Sequence, residues 1–234
     1  GPSIAVAGRL LGIPSVVMYD TEIASITNRW VYPLASWVLT SNSYEGKVNG
    51  RHVTYPSYHQ LAYLHPNRFE PDPSALDHYG VSVGEPFAVM RFVSWQASHD
   101  IKDTGIDLEG RMQLVESLAA RGRVLISSEG PLPPALRSYE VEGPVHLVHH
   151  LLAHAQLYVG ESATMASEAA VLGTPAIYLA NHSRGYLNDL ERFGLVQVLR
   201  ATELGYAIDL IQRGWASEVA DSDLHQKMMS ERVD

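Results

Sequence analysis

The sequence predicts a doubly wound α/β protein, in which helices cover both faces of parallel sheets. Short runs of apolar and β-branched residues alternate along the chain with stretches in which apolar residues recur at helical spacing. Short polar loops separate these runs, and such an alternation builds parallel β-α-β units. Apolar residues make up 46% of the 234 residues and charged residues 18%, so the chain can bury a substantial hydrophobic core.

The first part of the chain predicts helix, strand, helix and strand in that order. Apolar residues over 4–11 have helical spacing, and Gly12 ends this helix. The run 15–19 is apolar and rich in β-branched residues, as buried strands are. The same criteria predict a helix over 26–36 and a strand over 37–40.

The second part of the chain repeats the alternation after a connector. Residues 42–73 hold two glycines and four prolines with little periodicity, which predicts a connector between two lobes. The later predicted strands are 87–93, 124–126, 157–159 and 176–179, and the later predicted helices are 108–121, 148–155 and 164–172. We therefore predict two units: residues 1–66, the carboxyl-terminal part of a first Rossmann-like lobe with its connector, and residues 67–234, a second Rossmann-like lobe.

Composition excludes several classes of protein. Lys and Arg number 17 against 26 Asp and Glu, so the net charge of -9 argues against a nucleic-acid-binding protein or one held on an anionic membrane. The absence of cysteine excludes disulfides, thiolate metal sites and a cysteine nucleophile. No apolar run reaches the roughly 18 residues of a membrane helix, and no secretory signal precedes the first helix. We expect a cytoplasmic protein whose chain starts inside a larger one.

Residues 160–175 contain the clearest candidate for a ligand-binding segment. They follow a predicted buried strand, and the small residues Ser162 and Ala163 allow the backbone to approach a ligand closely. Free N–H groups at a helix start bind anions such as phosphate. Glu168 lies six residues after Ser162 and can accept hydrogen bonds from a vicinal diol such as a ribose. The alternative is that Ser162 only caps the helix and Glu168 is solvated.

This pattern resembles the donor-nucleotide motif of GT-B glycosyltransferases and of UDP-N-acetylglucosamine 2-epimerases. The shared features are Ser162, a small residue after it, Glu168, and the Gly-x-Pro of 173–175. The resemblance implies two Rossmann-like lobes that bind a nucleotide sugar between them. It implies that Ser162, Ala163 and Thr164 contact the diphosphate and that Glu168 contacts the ribose.

Further segments resemble domain of unknown function 354, a GT-B-like family of archaea and bacteria. The segments that carry this resemblance are residues 62–66, 91–100, 127–130 and 149–152. Members of that family begin with a longer first lobe, so the resemblance implies that amino-terminal strands of this lobe are missing here.

Asp20 and Glu22 follow the first predicted strand, at the edge where α/β proteins bind ligands. We expect them to act as acid or base on an acceptor hydroxyl or a sugar C–H. The alternative is that Asp20 or Thr21 caps a helix. The second acidic pair that epimerases carry before Asn28 and Arg29 is replaced here by Ser25-Ile26-Thr27. This departure from the epimerase pattern argues against epimerisation and leaves transfer as the default hypothesis.

The strand 87–93 and the loop after it supply further candidates. Arg91 lies within an apolar strand and is expected to pair with a carboxylate or with bound phosphate. Ser94 begins the loop and is a candidate for substrate binding. His99, beside Asp100, is a candidate general base or diphosphate contact. The alternative for His99 is an exposed polar loop.

Four histidines cluster over 146–154, but the sequence does not favour a metal site. His150 and His154 share a helix face, yet there is no His-Glu-x-x-His pattern and no carboxylate placed as a third ligand. We expect instead that His149 or His150 lines the base side of the nucleotide pocket. Aromatic residues of the connector, among them Tyr63, either stack on a sugar or seal the lobe interface.

Taken together, these features predict a GT-B-like protein that binds a nucleotide sugar, UDP-linked, as its substrate. The first hypothesis is a glycosyltransferase of surface polysaccharide or glycan assembly, with an unknown acceptor and no metal or other cofactor. The alternatives are a non-hydrolysing UDP-sugar 2-epimerase and a non-catalytic nucleotide-sugar-binding protein. We expect no nucleic-acid partner and no integral membrane segment, and we leave a homodimer open as its assembly.

Overall fold

The computed structural model describes residues 2–93 and 105–233 and confirms the predicted α/β fold with two parallel-sheet lobes. The first lobe has a three-stranded sheet of order β1-β2-β3. Its elements are α1 (Pro2–Leu11), β1 (Val16–Tyr19), α2 (Ser25–Leu34), β2 (Trp37–Ser41), β3 (His52–Tyr55) and the short helix α3 (Leu61–Leu64).

The second lobe has a five-stranded sheet of order β5-β4-β6-β7-β8. Its strands are β4 (Phe87–Phe92), β5 (Arg123–Ser128), β6 (Leu157–Gly160), β7 (Ala176–Leu179) and β8 (Val196–Leu199). Its helices are α4 (Leu108–Ala119), α5 (Val148–His154), α6 (Ala163–Val171), α7 (Gly185–Arg192), α8 (Leu204–Arg213), α9 (Trp215–Ala220) and α10 (Leu224–Arg232). Short 3₁₀ helices lie at Pro73–Tyr79, Pro134–Tyr139, Val145–Leu147 and Ala201–Glu203.

Each lobe has its own hydrophobic core. A small cluster between α1, α2 and the first sheet includes Val17, Tyr32 and Val38. A much larger cluster surrounds the second sheet. Leu61 and Leu64 of α3 belong to this larger cluster, so the connector packs against the second lobe.

All strand pairs in both sheets are parallel, so the carboxyl ends of β4, β6 and β7 lie at one edge of the second sheet. Strands β4 and β6 approach closely where Arg91 is opposite Gly160. A Cβ on Gly160 would lie 2.5 Å from the carbonyl oxygen of Arg91, so this position requires glycine. Ligands of such sheets bind at this edge, where helices begin.

The helices of this structure are short. Within residues 2–93 and 105–233, none is long and apolar enough to cross a membrane.

Candidate functional site

The amino-terminal end of α6 lies at the carboxyl edge of the second sheet. Ser162 caps this helix, since its Oγ accepts a hydrogen bond from the backbone N–H of Met165 at 3.4 Å. The backbone N–H groups of Ala163 and Thr164 have no acceptor among the described residues. Thr164 is exposed and Ala163 half-buried. Among the described residues, nothing therefore neutralises the positive end of this nine-residue helix, and such an end favours an anion.

Glu168 lies one helical turn below this end. Because it follows Thr164 by four residues, the two side chains share one face of α6, roughly 6 Å apart along the axis. Glu168 is buried, with only 7% of its surface exposed. The carboxylate of Glu168 is therefore not solvated, contrary to the alternative interpretation of this residue.

Two residues hold one oxygen of the Glu168 carboxylate. The hydroxyl of Tyr63, on α3, donates to Glu168 Oε1 at 2.8 Å. His149 Nε2, on α5, lies 3.1 Å from the same oxygen. Oε2 accepts no hydrogen bond from any residue that the structure describes. The carboxylate is thus fixed in place by one oxygen, and the other is left to interact with a ligand.

The two residues that hold the carboxylate belong to a group of packed rings. Tyr63 and His149 have ring centroids 5.6 Å apart, and Phe69 lies 6.1 Å from His149 and 4.7 Å from His150. His150 Nδ1 also accepts a hydrogen bond from the backbone N–H of Asp72 at 2.9 Å, which ties α5 to the connector. The structure therefore places His149 beside Glu168, and Phe69 lies next to the rings of both His149 and His150.

Burial and nearby carboxylates raise the pKa of Tyr63. Burial raises the pKa of the Tyr63 phenol, the Glu168 carboxylate raises it further, and Asp20 adds a smaller increase. Tyr63 therefore keeps its proton and donates at neutral pH. Asp20, from the first lobe, also lies beside the connector, since its Oδ2 is 4.0 Å from Nδ1 of His59, four residues before Tyr63.

Asp20 keeps most of its carboxylate available. Its Oδ1 accepts a hydrogen bond from the Thr21 hydroxyl at 2.9 Å, and its Oδ2 lies 4.0 Å from His59 Nδ1. No helix-capping bond is made by Asp20, because α2 begins without a side-chain cap. A carboxylate that accepts one hydrogen bond and has a histidine beside it can act as a general base.

Glu22 instead joins the lobes. Its Oε1 accepts hydrogen bonds from the backbone N–H of Gly185 at 3.0 Å and of Glu45 at 3.2 Å. Gly185 is the first residue of α7, whose own preceding residue provides no side-chain cap. Glu22 therefore caps a helix of the other lobe, a contact between residues 163 positions apart. Its predicted catalytic role stays a prediction.

Arg91 pairs with protein groups. Its Nη1 donates to Ser127 Oγ at 2.6 Å, and its Nη2 donates to Glu129 Oε1 at 3.3 Å. A carboxylate was one of the two partners expected for this buried-strand arginine. The pairing satisfies much of the Arg91 charge, so its role at a substrate stays a prediction.

Glu161, two residues before α6, is a buried carboxylate that the sequence pattern did not single out. It is 3% exposed, and its carboxylate accepts hydrogen bonds from the N–H of Ile106 at 2.7 Å and of Val93 at 3.2 Å. Arg111 Nη2 lies 3.5 Å away. Glu161 thus ties together the chain on either side of residues 94–104. The predicted site residues Ser94 and His99 lie outside the described residues.

Arg184 is a second residue that sequence reasoning missed. It is 9% exposed in the loop after β7, and its Nη1 donates to the carbonyl of Ser183 at 3.1 Å. No carboxylate in the described part of the chain lies within ion-pair distance of it. A buried guanidinium without a counter-ion favours an anionic ligand. The available signal was a charged residue just after an apolar strand and before a helix.

No group of three His, Asp or Glu side chains in the described ranges is arranged to hold a metal ion.

No protein-family model matches the chain, and no curated protein matches it in sequence. Solved structures do match in fold. A candidate UDP-N-acetylglucosamine 2-epimerase from Listeria monocytogenes aligns with a TM-score of 0.60 at 12% identity, over 99% of this chain and 65% of that one. MnaA of S. aureus, solved with UDP, aligns with a TM-score of 0.59 at 14% identity, over 97% and 66%. The spinosyn rhamnosyltransferase SpnG, solved with thymidine diphosphate, has a TM-score of 0.56 at 14% identity, over 97% and 65%.

At these identities the likeness concerns the fold. The chain has a GT-B-like fold, like UDP-N-acetylglucosamine 2-epimerases and glycosyltransferases, and it spans about two thirds of the length of these structures.

Proposed function

We propose that this chain binds a UDP-linked sugar between its lobes and transfers the glycosyl group to an acceptor. The observation that carries the proposal is that the first N–H groups of α6 have no acceptor among the described residues, while Glu168 is buried on the same helix face. The fold neighbours support it, since MnaA was solved with UDP and SpnG is a rhamnosyltransferase solved with thymidine diphosphate.

In this proposal the diphosphate lies at the start of α6. The N–H groups of Ala163 and Thr164 donate to its oxygens, and the helix dipole adds positive potential. Arg184, buried without a counter-ion among the described residues, is a better candidate than Arg91 for the balancing cation. Arg91 already pairs with Glu129.

The ribose lies over Glu168. Tyr63 and His149 hold Oε1, and Oε2 accepts from a ribose hydroxyl. A carboxylate oxygen has two lone-pair directions, so Oε2 can serve both hydroxyls of the diol. The rings of Phe69, His149 and His150 then face the nucleobase.

Transfer needs a base on the acceptor and a stabilised leaving group. Asp20 accepts the acceptor hydroxyl proton, the acceptor oxygen forms its bond to the anomeric carbon, and the anomeric carbon–phosphate oxygen bond breaks with its electron pair leaving on UDP. The start of α6 and Arg184 stabilise that charge. We assign the base to Asp20 rather than Glu22 because Glu22 Oε1 caps α7.

A sugar-nucleotide 2-epimerase is the second candidate, favoured by the Listeria and S. aureus fold neighbours. We further propose membership in the domain of unknown function 354 family and a cytoplasmic location. Cell fractionation tests the location. An alignment of homologues tests the family membership, which predicts that they share the residues of segments 91–100 and 160–175.

Three assays separate the functions. Release of UDP from a UDP-sugar only when an acceptor is added supports a transferase. Deuterium incorporation at the sugar C2 in deuterated buffer without acceptor supports an epimerase. Tight UDP binding with neither reaction supports a binding protein, and no UDP binding at all refutes the proposal.

A further inference from the structure

A second cavity lies in the first lobe, beside the start of α2. Its volume of about 340 Å³ is suited to a small molecule. We call it the α2 pocket; the polar side chains on which the argument rests are Glu22, Ser25, Asn28, Arg29, Tyr44 and Lys47. It shares no residue with the α6 site.

Two buried oxygens of the α2 pocket lack a hydrogen-bond donor. Asn28 is only 6% exposed, and its Nδ2 donates to the carbonyl of Thr21 at 3.0 Å, but no described residue donates to its Oδ1. Glu22 Oε2 is also buried without a donor in the described part of the chain, although Oε1 caps α7. Buried acceptors are seldom left unpaired, so these two oxygens indicate a partner that donates.

The pocket also offers positive potential. Helix α2 begins at Ser25 without a side-chain cap and without an acidic residue in its first turn. The N–H of Ser25 donates to the carbonyl of Ile23 at 2.8 Å. Those of Ile26 and Thr27 have no acceptor among the described residues, so the start of α2 favours an anion. Arg29 and Lys47 line the pocket, and neither is within ion-pair distance of a carboxylate among the described residues. Two cations face a single carboxylate, that of Glu22.

We propose that the α2 pocket binds an anionic polyol, meaning a sugar phosphate or a sugar acid. Its hydroxyls donate to Glu22 Oε2 and Asn28 Oδ1, and its anionic group interacts with Arg29, Lys47 and the start of α2. Hydroxyls fit better than an ammonium group because they also accept hydrogen bonds, and Ser25, which carries a hydroxyl, lines the pocket.

The position of the pocket makes its ligand the glycosyl acceptor, an assignment that rests on the proposed function. Glu22 joins the pocket to the lobe interface through Gly185. Asn28 Nδ2, in the pocket, donates to the carbonyl of Thr21 at 3.0 Å, and the Thr21 hydroxyl donates to Asp20 Oδ1 at 2.9 Å, so Thr21 connects the pocket to the candidate base. An acceptor held there would place a hydroxyl near the candidate base.

Calorimetric titration of the chain with glucose 6-phosphate, glucuronate, glucose and inorganic phosphate tests the site. We expect glucose 6-phosphate or glucuronate to bind at least about tenfold more tightly than glucose or inorganic phosphate. Arg29→Gln and Lys47→Gln should each weaken that binding about three- to fivefold, as exposed cations do. The matched control is Arg51→Gln, an exposed cation of the same lobe that lies over the Trp37 ring, and it should leave binding unchanged.

The site is refuted if neither anionic polyol binds, if inorganic phosphate binds as tightly as they do, or if Arg51→Gln weakens binding as much as the pocket variants. UDP titrations of the same proteins separate the two proposals. Glu168→Gln should weaken UDP and leave the polyol affinity unchanged. Polyol binding without any UDP binding would confirm the pocket and refute both the proposed function and the acceptor assignment.

Discussion

Glu168→Gln removes one charge and leaves the shape of the side chain unchanged. The amide oxygen can keep the position of Oε1, 2.8 Å from the Tyr63 hydroxyl and 3.1 Å from His149 Nε2. The amide NH₂ then takes the position of Oε2, where it cannot accept a hydrogen bond from a ribose hydroxyl. A hydrogen bond to a charged acceptor contributes about 1.5–3 kcal/mol, so UDP affinity should fall by roughly 10- to 150-fold.

Isothermal titration calorimetry with UDP measures this loss, and thermal unfolding of the same samples shows whether the fold is intact. Glu218→Gln is the matched control, because Glu218 is an exposed glutamate on α9 in the same lobe. We expect it to bind UDP as the unsubstituted chain does. Equal UDP affinity for Glu168→Gln and the unsubstituted chain would show that this carboxylate does not contact the ribose.

Three further predictions concern the structure around the site. A Cβ on Gly185 would collide with the carbonyl oxygen of Ser43, so Gly185→Ala should lower the unfolding free energy by about 1–3 kcal/mol. The control Gly205→Ala has open space around its Cβ and should not lower it. Equal thermal midpoints for the two variants would contradict this prediction. Glu161→Gln, which weakens three contacts of a buried carboxylate, should cost about 2–4 kcal/mol in urea unfolding; an unchanged midpoint would contradict it. Burial raises the pKa of Tyr63 and Tyr158. Above about pH 10 the unfolded chain loses phenolic protons that the folded chain keeps, so the free energy of unfolding should fall as pH rises. A constant free energy of unfolding from pH 9 to about 11 would contradict this prediction.

Local pattern was sufficient to predict the strands and the longer helices of the second lobe as far as β7, but no element after residue 179 was predicted. The apolar run before Gly160, the small residues after it and the glycine at 173 form one continuous segment, and the structure has β6, α6 and β7 there. Strand β3 was missed for a physical reason: three of its four residues are exposed, so it has no apolar run to detect. It also lies among the glycines and prolines that predicted a connector.

Contacts between distant residues could not be predicted from pattern. Tyr63 contacts Glu168 across 105 positions, and Glu22 caps α7 across 163. Both contacts depend on how the connector and the lobes pack, which no local periodicity encodes. The charge of Arg184 was visible in the sequence, but only its burial, and the lack of a counter-ion in the described ranges, make it a site candidate.

A crystal structure of the chain grown with UDP tests most directly whether the opening turn of α6 is a nucleotide site. We predict diphosphate oxygens within hydrogen-bond distance of the N–H groups of Ala163 and Thr164, and a ribose hydroxyl on the Glu168 carboxylate. UDP bound elsewhere on the protein, with no contact to α6, would contradict the account.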